Sequence, residues 1–314
     1  MPSACQDLHM KTNPSSRFAF GAMQFGGTAS AEDARAMYHA CRAAGVAHFD
    51  TAYAYTGGAS ERLLGALIRP EREAIFLATK AGYEGGSSRA NILTTFDESR
   101  QRLGCDHVDL LYLHRWDDTT ALEETFETLA ELQQQKLIGH IGVSNFAAWQ
   151  VMKAQSVAQS LGTRIDFIQP MYNLVKRQVE VEILPMCQSE AIIPCTYSPL
   201  GGGLLTGKYS SDTSQGRLVT DTRYAARYGL PEMHAAATRL NALAAALNTH
   251  PATLAAAWVA AHPAHPVPIL SARSAAQLAP CLAAITFDLT NEIKAELDAI
   301  YPAPPPATDR IEEA

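Results

Sequence analysis

Ala74-Ile75-Phe76-Leu77-Ala78-Thr79-Lys80 is a short apolar run that ends on a charge. Its length suits a strand buried on both faces rather than a helix. A lysine that closes such a run is rarely there for packing. Two more runs in the first half of the chain have the same form. Val46-Ala47-His48-Phe49 leads into Asp50, with Tyr55 on the turn that follows, and Val108-Asp109-Leu110-Leu111-Tyr112-Leu113 leads into His114.

Outward from these three, β-type runs recur at about 18–23, 138–143, 167–169, 192–197 and 267–270. Helix-like segments lie between them, at about 31–44, 60–68, 88–103, 121–135, 147–161, 179–189, 231–261 and 274–284. Eight alternating units predict a parallel sheet. Closed on itself, that sheet is a single-domain α/β fold, the (β/α)8 or TIM barrel, which typically takes ~250 residues and does its chemistry where the strands end. The barrel is expected over residues 17–302, after a flexible extension (1–16) and before an irregular Pro-rich tail (303–314). The surplus goes into a long loop after strand seven (201–230) and an extra C-terminal helix (290–301). An open doubly wound sheet is the competing architecture, but no GxGxxG follows the first strand. Ser30 and Thr120 are read as helix caps ahead of acidic first turns, and Gly45 and Gly104 as helix stops.

Composition narrows the function. The chain has 314 residues, 47% apolar, with a net charge of −7 and no dense basic stripe, so nucleic acid is not an expected partner. The six cysteines are scattered without metal-ligand spacing, as in a reduced, cytoplasmic protein. The first residues lack the apolar core of a signal peptide, and no run reaches the ~18–20 residues of a membrane span. His262-Pro263-Ala264-His265-Pro266 is read as a turn rather than a metal tract. Trp149 and Trp258 are expected to pack between helix and barrel.

Taken singly, Asp50 is more often a cap or ion-pair partner, Tyr55 a loop aromatic and His114 a core histidine. Together at one barrel mouth they form a proton-handling set. A free phenol has a pKa of ~10, too high for efficient donation at neutral pH, and a nearby ammonium would bring it down. Asp50 can hold Lys80 charged, and His114 can orient a carbonyl oxygen. Protonating the alkoxide formed by a hydride requires a hydride donor, which means a nicotinamide.

The residues at this point resemble a known family. Asp50-Thr51-Ala52-Tyr53-Ala54-Tyr55, running into Gly57, Ser60-Glu61 and Leu64-Gly65, is similar to the D-T-A-x-x-Y signature of the aldo-keto reductases. Phe76 to Lys80 and Asp109 to Arg115 resemble that family's lysine and histidine strands. Gly142-Val143-Ser144-Asn145-Phe146 is similar to its G-x-S-N-F, and Tyr197-Ser198-Pro199-Leu200 through Gly207-Lys208 to its Y-S-P-L loop. The similarity covers nearly the whole chain, in order, and points to the bacterial type with a short C-terminal tail.

The resemblance implies roles. Tyr55 would be the acid in reduction and the base in alcohol oxidation, with Asp50, Lys80 and His114 assisting and no metal. Ser144, Asn145 and Gln169 would hold a carboxamide, and Tyr197 would stack on the nicotinamide. Ser198, Pro199, Leu200, Gly201 and Lys208 would grip the pyrophosphate, with Gly21 and Met23 also against the cofactor. Ser271, Arg273 and Gln277 resemble the adenosine-phosphate clamp, and Arg273 favours NADP (NADPH) over NAD through a bidentate phosphate contact. Ser271 stands where glycine is common, and Pro280-Cys281 where Glu-Asn often meets adenine. Gln24, Tyr53, Tyr83 and Trp116, with Met23, are expected to border the substrate cavity. A short tail favours a small aldehyde, sugar or hydroxyketone over a bulky ketone. Arg217 and Arg223 either fold over the pyrophosphate or stand in solvent. A cofactor-binding regulatory subunit with little turnover is the alternative function, and a metal-dependent barrel hydrolase a weaker one, because the strand ends offer a poor ligand set. Oligomeric state is left open.

Overall fold

The computed structural model describes residues 17–209, 216–310 and 312; the expected extension 1–16, with Cys5, lies outside them. Its strands are β1 (Ala19–Gly21), β2 (His48–Asp50), β3 (Phe76–Ala81), β4 (Val108–Leu113), β5 (Ile138–Ser144), β6 (Phe167–Gln169), β7 (Ile193–Thr196) and β8 (Val267–Leu270). They pair in chain order, all parallel, and β8 closes on β1 with Ala19 opposite Ile269. The closed eight-stranded barrel is the architecture expected from the alternating runs.

Helices α1 (Ala31–Ala43), α2 (Ala59–Ile68), α3 (Arg89–Leu103), α4 (Leu122–Gln134), α5 (Ala148–Ser160) and α6 (Ile183–Glu190) follow successive strands from β1 on. Ser30 starts α1 with a reciprocal capping box to Asp33, and Gly104 stops α3 in the left-handed region at φ 65°. Thr120 does not cap α4. Ala121 holds that position, and the Thr120 hydroxyl donates to Asp117 at 2.7 Å instead.

The segment after β7 is more ordered than a loop. A 3-10 turn (Gly201–Thr206) leads to short helices α7 (Arg217–Thr220) and α8 (Thr222–Tyr228), then to α9 (Pro231–Ala246) and α10 (Pro251–Ala260). Beyond β8 come α11 (Ala275–Ala283) and the extra helix α12 (Asn291–Asp298). Among the described residues, 302–310 hold no helix or strand.

Three apolar clusters hold these layers. Phe76, Ala78, Leu110, Tyr112, Phe167, Cys195 and Ile269 fill the barrel interior. The opposite strand faces, such as Phe49, Leu77, Leu111 and Ile141, pack with Phe96, Phe126 and Leu129 of the helices. A third cluster joins Leu204, Leu205, Tyr228, Leu240 and Leu254 with Leu297, which seats α12. Trp258 belongs to it, as expected of a helix–barrel tryptophan. Trp149 does not pack inside: it is 62% exposed, because the inward face of α5 is Val151, Ala154 and Ala158.

Candidate active site

The two-residue period of a strand decides what faces the barrel axis. Phe76 and Ala78 are interior, so Lys80 points inward one step nearer the rim. Leu110 and Tyr112 do the same beneath His114. Asp50 lies opposite Ala78 in register, so it meets the same layer from β2. On β3 the inward column is apolar until Lys80, whereas on β2 and β5 the rings of His48 and His140 pack on Phe76 beneath Asp50 and Ser144. Past β2 the backbone stays on β3, with Thr51 N–H donating to Ala78 and Tyr53 N–H to Lys80. It then turns through a Tyr55-to-Ala52 bond that presents the Tyr55 ring.

These side chains meet. Lys80 Nζ donates to Asp50 Oδ1 and, at 2.7 Å, to the Thr51 carbonyl. Gln169 Nε2 donates to the other Asp50 oxygen at 2.8 Å. Asp50 and Lys80 are 2% and 1% exposed, so each charge depends on the other. Lys80 Nζ lies 5.0 Å from the centre of the Tyr55 ring. The Tyr55 and His114 rings meet edge-on at 5.7 Å, and Tyr83 packs on His114 at 4.8 Å.

Burial raises the Tyr55 phenol well above its ordinary value, and the Asp50 carboxylate pushes the same way. The expectation that Lys80 would lower it does not hold. The carboxylate that the ammonium touches offsets part of its pull on the phenol, and burial outweighs what is left. Burial also lowers the Lys80 ammonium, with Asp50 opposing the shift. Burial, then the charges of Lys80 and Arg115, takes the His114 imidazole down to about 3, so it is neutral at physiological pH. Its Nδ1 is buried without a hydrogen-bond partner among the described residues.

On β5 to β7 the polar residues brace one another. Ser144 Oγ donates to the Gln169 carbonyl at 3.0 Å. Asn145 Nδ2 donates to Ser144 Oγ and to the His114 carbonyl, each at 3.0 Å, and the Tyr197 hydroxyl donates to Asn145 Oδ1 at 2.7 Å. The amides expected to hold a carboxamide are thus engaged already, Asn145 at both ends and Gln169 through Nε2. Asn145 and Ser198 both sit at φ 58°, in the left-handed region that favours glycine.

All of this opens into a cavity of about 810 Å³. Asp50, Tyr55 and His114 line it, as do Gly21, Met23, Gln24, Tyr83, Ser144, Asn145, Gln169, Tyr197, Ser198, Pro199, Leu200, Lys208, Ser271, Arg273 and Gln277. Lys80 sits behind that wall. Three expected lining residues stand outside it. Tyr53 turns away, its hydroxyl donating to Glu98 and its ring under the Arg102 guanidinium at 4.3 Å. Trp116 packs against Phe146 and Trp149 at 5.1 and 5.6 Å. Gly201 is buried against Tyr228 and Leu204. Gly202 and Gly203 face the cavity in its place, with φ of 64° and 100°; a Cβ on Gly203 would come within 2.6 Å of Lys208 Nζ.

Arg217 and Arg223 divide: Arg217 lines the cavity, whereas Arg223 is 77% exposed and paired with Asp221. Tyr224, Arg227 and His250 line it too and were not anticipated. Tyr224, Arg227 and Tyr228 share one face of α8 at i, i+3 and i+4, a spacing legible in the sequence. Among the described residues no group of three or more His, Cys, Asp or Glu could hold a metal ion, and no helix is long and apolar enough to cross a membrane.

The Aldo/keto reductase family model matches residues 17–302. The chain belongs to that family. Among curated relatives of this aldo-keto reductase, a rice protein called probable voltage-gated potassium channel subunit beta is 31% identical over 320 residues, covering 94% of this chain and 95% of its own length. The uncharacterized oxidoreductase YrpG of Bacillus subtilis is 31% identical over 92% of this chain and 93% of its own. Mouse aflatoxin B1 aldehyde reductase member 2 is 36% identical over 203 residues, 63% of this chain and 55% of its own length.

Proposed function

We propose that this aldo-keto reductase interconverts a carbonyl and an alcohol by hydride transfer from NADPH, with Tyr55 as the proton donor. The observation that carries the reading is the meeting of Tyr55 and His114 above the buried Lys80–Asp50 pair, in a cavity that Lys208 and Arg273 also line. A nicotinamide dinucleotide fits the residues present. The Gly202–Gly203 turn puts no side chain on the cavity wall, so a phosphate can come close to the backbone there, Lys208 adds charge, and the Tyr197 ring stands at the end of β7. Arg217 and Arg227 supply further cations on the same wall. When bound, the reduced nicotinamide supplies the hydride.

The chain's own residues do the rest. Neutral His114 donates an N–H to the carbonyl oxygen and orients it. Tyr55, held as a phenol by burial, delivers its proton to the oxygen as negative charge develops there. The phenolate left behind is next to the Lys80 ammonium, which Asp50 and the Thr51 carbonyl fix in place.

Mixing the protein with NADPH and a panel of aldehydes, sugars and hydroxyketones tests the reading through loss of nicotinamide absorbance. The name of the mouse relative favours aldehydes; preferred turnover of a bulky hydrophobic ketone would overturn that choice. Reduction needs the protonated phenol. A raised Tyr55 pKa keeps that form through neutral pH, and His114 protonates only near 3. Reduction is therefore expected to be flat between about pH 6 and 8 and to fall on the alkaline side, where oxidation rises. A titration centred near neutrality would contradict the assignment.

Arg273 is exposed at the cavity edge, and its proposed partner is a 2′-phosphate. Arg273→Met is expected to weaken NADPH binding about 10- to 100-fold, the worth of a charge-assisted contact of about 1.5–3 kcal/mol. NADH binding should barely change. Equal losses for both dinucleotides, measured by fluorescence titration, would remove the preference for NADP.

The names of the rice relative and of an Arabidopsis protein support a second reading, a regulatory subunit that binds the cofactor with little turnover. NADPH bound but not oxidised by any of the carbonyl panel would favour it. Five described cysteines are free thiols, which supports a reducing, cytoplasmic setting.

A further inference from the structure

Glu61 is a fully buried carboxylate on the inner face of α2, alongside Leu64 and Ile68. A charge there needs partners. Thr79, next to Lys80, donates to Glu61 Oε1 at 2.7 Å, and Arg102 Nη1 reaches Oε2 at 3.3 Å. Arg102 comes from the last turn of α3 and does much more. The same Nη1 donates to the Tyr53 carbonyl at 3.2 Å, Nη2 donates to Glu98 at 2.8 Å, and the guanidinium stacks 4.3 Å from the Tyr53 ring. The Tyr53 hydroxyl closes the circuit on Glu98 at 3.1 Å. At Gly58 a Cβ would stand 2.7 Å from Arg102 Nε, so the turn following Tyr55 accommodates the guanidinium only because that residue is glycine.

Arg102 therefore touches the segment 51–58 on both sides of Tyr55, at the Tyr53 carbonyl and ring before it and at Gly58 after it. Through Glu61 and Thr79 it is also tied to the strand that carries Lys80. Resting on the reading of Tyr55 as proton donor, we propose that Arg102 is a positioning residue: it clamps the Tyr53–Gly58 turn to α2 and α3 and so fixes the Tyr55 hydroxyl relative to Lys80 and His114. Arg102 does not line the cavity and touches no reacting atom. Its planar fork serves three acceptors and a ring at once, a geometry that a lysine ammonium cannot reproduce.

Misplacement of a reacting group by about 1 Å can cost about 100-fold in rate, so Arg102→Met is expected to lower kcat by about that factor. NADPH affinity should be unchanged, because none of the contacts of Arg102 reaches a residue proposed to bind the dinucleotide. Arg102→Lys should restore only part of the rate. The single Met variant leaves Glu61 buried without its cation and can unfold for that reason alone. The pair Glu61→Gln with Arg102→Met removes both charges and should fold, yet should show the same loss of kcat.

Hydrogen exchange supplies a readout independent of turnover. Faster exchange confined to residues 51–58 in the paired variant is expected, with the other strands protected as in the parent. Unchanged exchange in that segment would overturn the proposal, as would full recovery of kcat in the Lys variant. A parent protein that binds NADPH but reduces no carbonyl would instead end the reading of Tyr55 as a donor, and the exchange result would still decide the clamp.

Discussion

Tyr55→Phe is expected to slow carbonyl reduction by about 10²- to 10⁴-fold, the range that a positioned general acid contributes. NADPH affinity should stay close to that of the parent. The substitution removes one oxygen and keeps the ring, so the edge-on contact with His114 and the cation–ring contact with Lys80 survive. Among the described residues no hydrogen bond depends on the Tyr55 hydroxyl, which leaves little stability to lose. Residual activity should be independent of alkaline pH, because the group whose titration sets that limb is gone. Stopped-flow reduction at saturating NADPH, together with fluorescence titration of the dinucleotide, separates the two effects. Loss of binding alongside loss of rate would assign Tyr55 a structural role, and retention of full rate would move the proton donor elsewhere, with His114 the next candidate.

How much of this was legible beforehand differs between the parts of the molecule. The barrel was, because each inward column carries its own signal. Phe76, Ala78 and Lys80 alternate with outward residues on a period of two, and the polar residue comes last. The convergence of the four residues proposed to be catalytic follows from the same rule, since strand ends of a closed parallel barrel must converge. Tyr53 and Trp116 were harder. Both sit in segments following a strand, where no period says which way a ring turns, and each found a partner on a neighbouring helix: Arg102 for Tyr53, Trp149 for Trp116. Thr120 failed as a cap because Asp117, three residues earlier, competes for its hydroxyl.

The cost of burial was the larger omission. Reading Lys80 beside Tyr55 as a depressed phenol counts one charge and neglects desolvation, which opposes the phenolate, and Asp50, which offsets part of the ammonium's pull. The corrected direction suits a donor better than the expected one, because a phenol that is already ionised has no proton to give. Glu61 was legible in principle as a charge on a buried helix face. Arg102, its partner, lies 41 residues away and is named only by the fold.

Lys80→Met should be the most disruptive single change at the site, and its two consequences can be pulled apart. Asp50 would remain almost fully buried with only the Gln169 amide to satisfy it. Breaking a buried pair by removing one partner costs about 3–5 kcal/mol, so urea unfolding should shift by about that amount. Asp50 can escape part of the penalty by taking up a proton, and the loss of stability should then shrink as the pH falls into the carboxylate range. The sign follows from the group: in the variant its folded pKa rises above the unfolded value, so the folded state binds the extra proton and gains from acid. Removing both charges with Asp50→Asn and Lys80→Met takes away the orphaned carboxylate, and most of the stability should return. Activity should not. Without an ammonium beside it, the phenolate formed on proton transfer stands in a buried site with no countercharge, so proton donation from Tyr55 becomes harder in both variants. A paired variant that regained both stability and turnover would show that the buried ion pair serves the fold alone. One that regained neither would mean that the Thr51 carbonyl, which also accepts from Lys80, needs that donor to hold the segment leading to Tyr55.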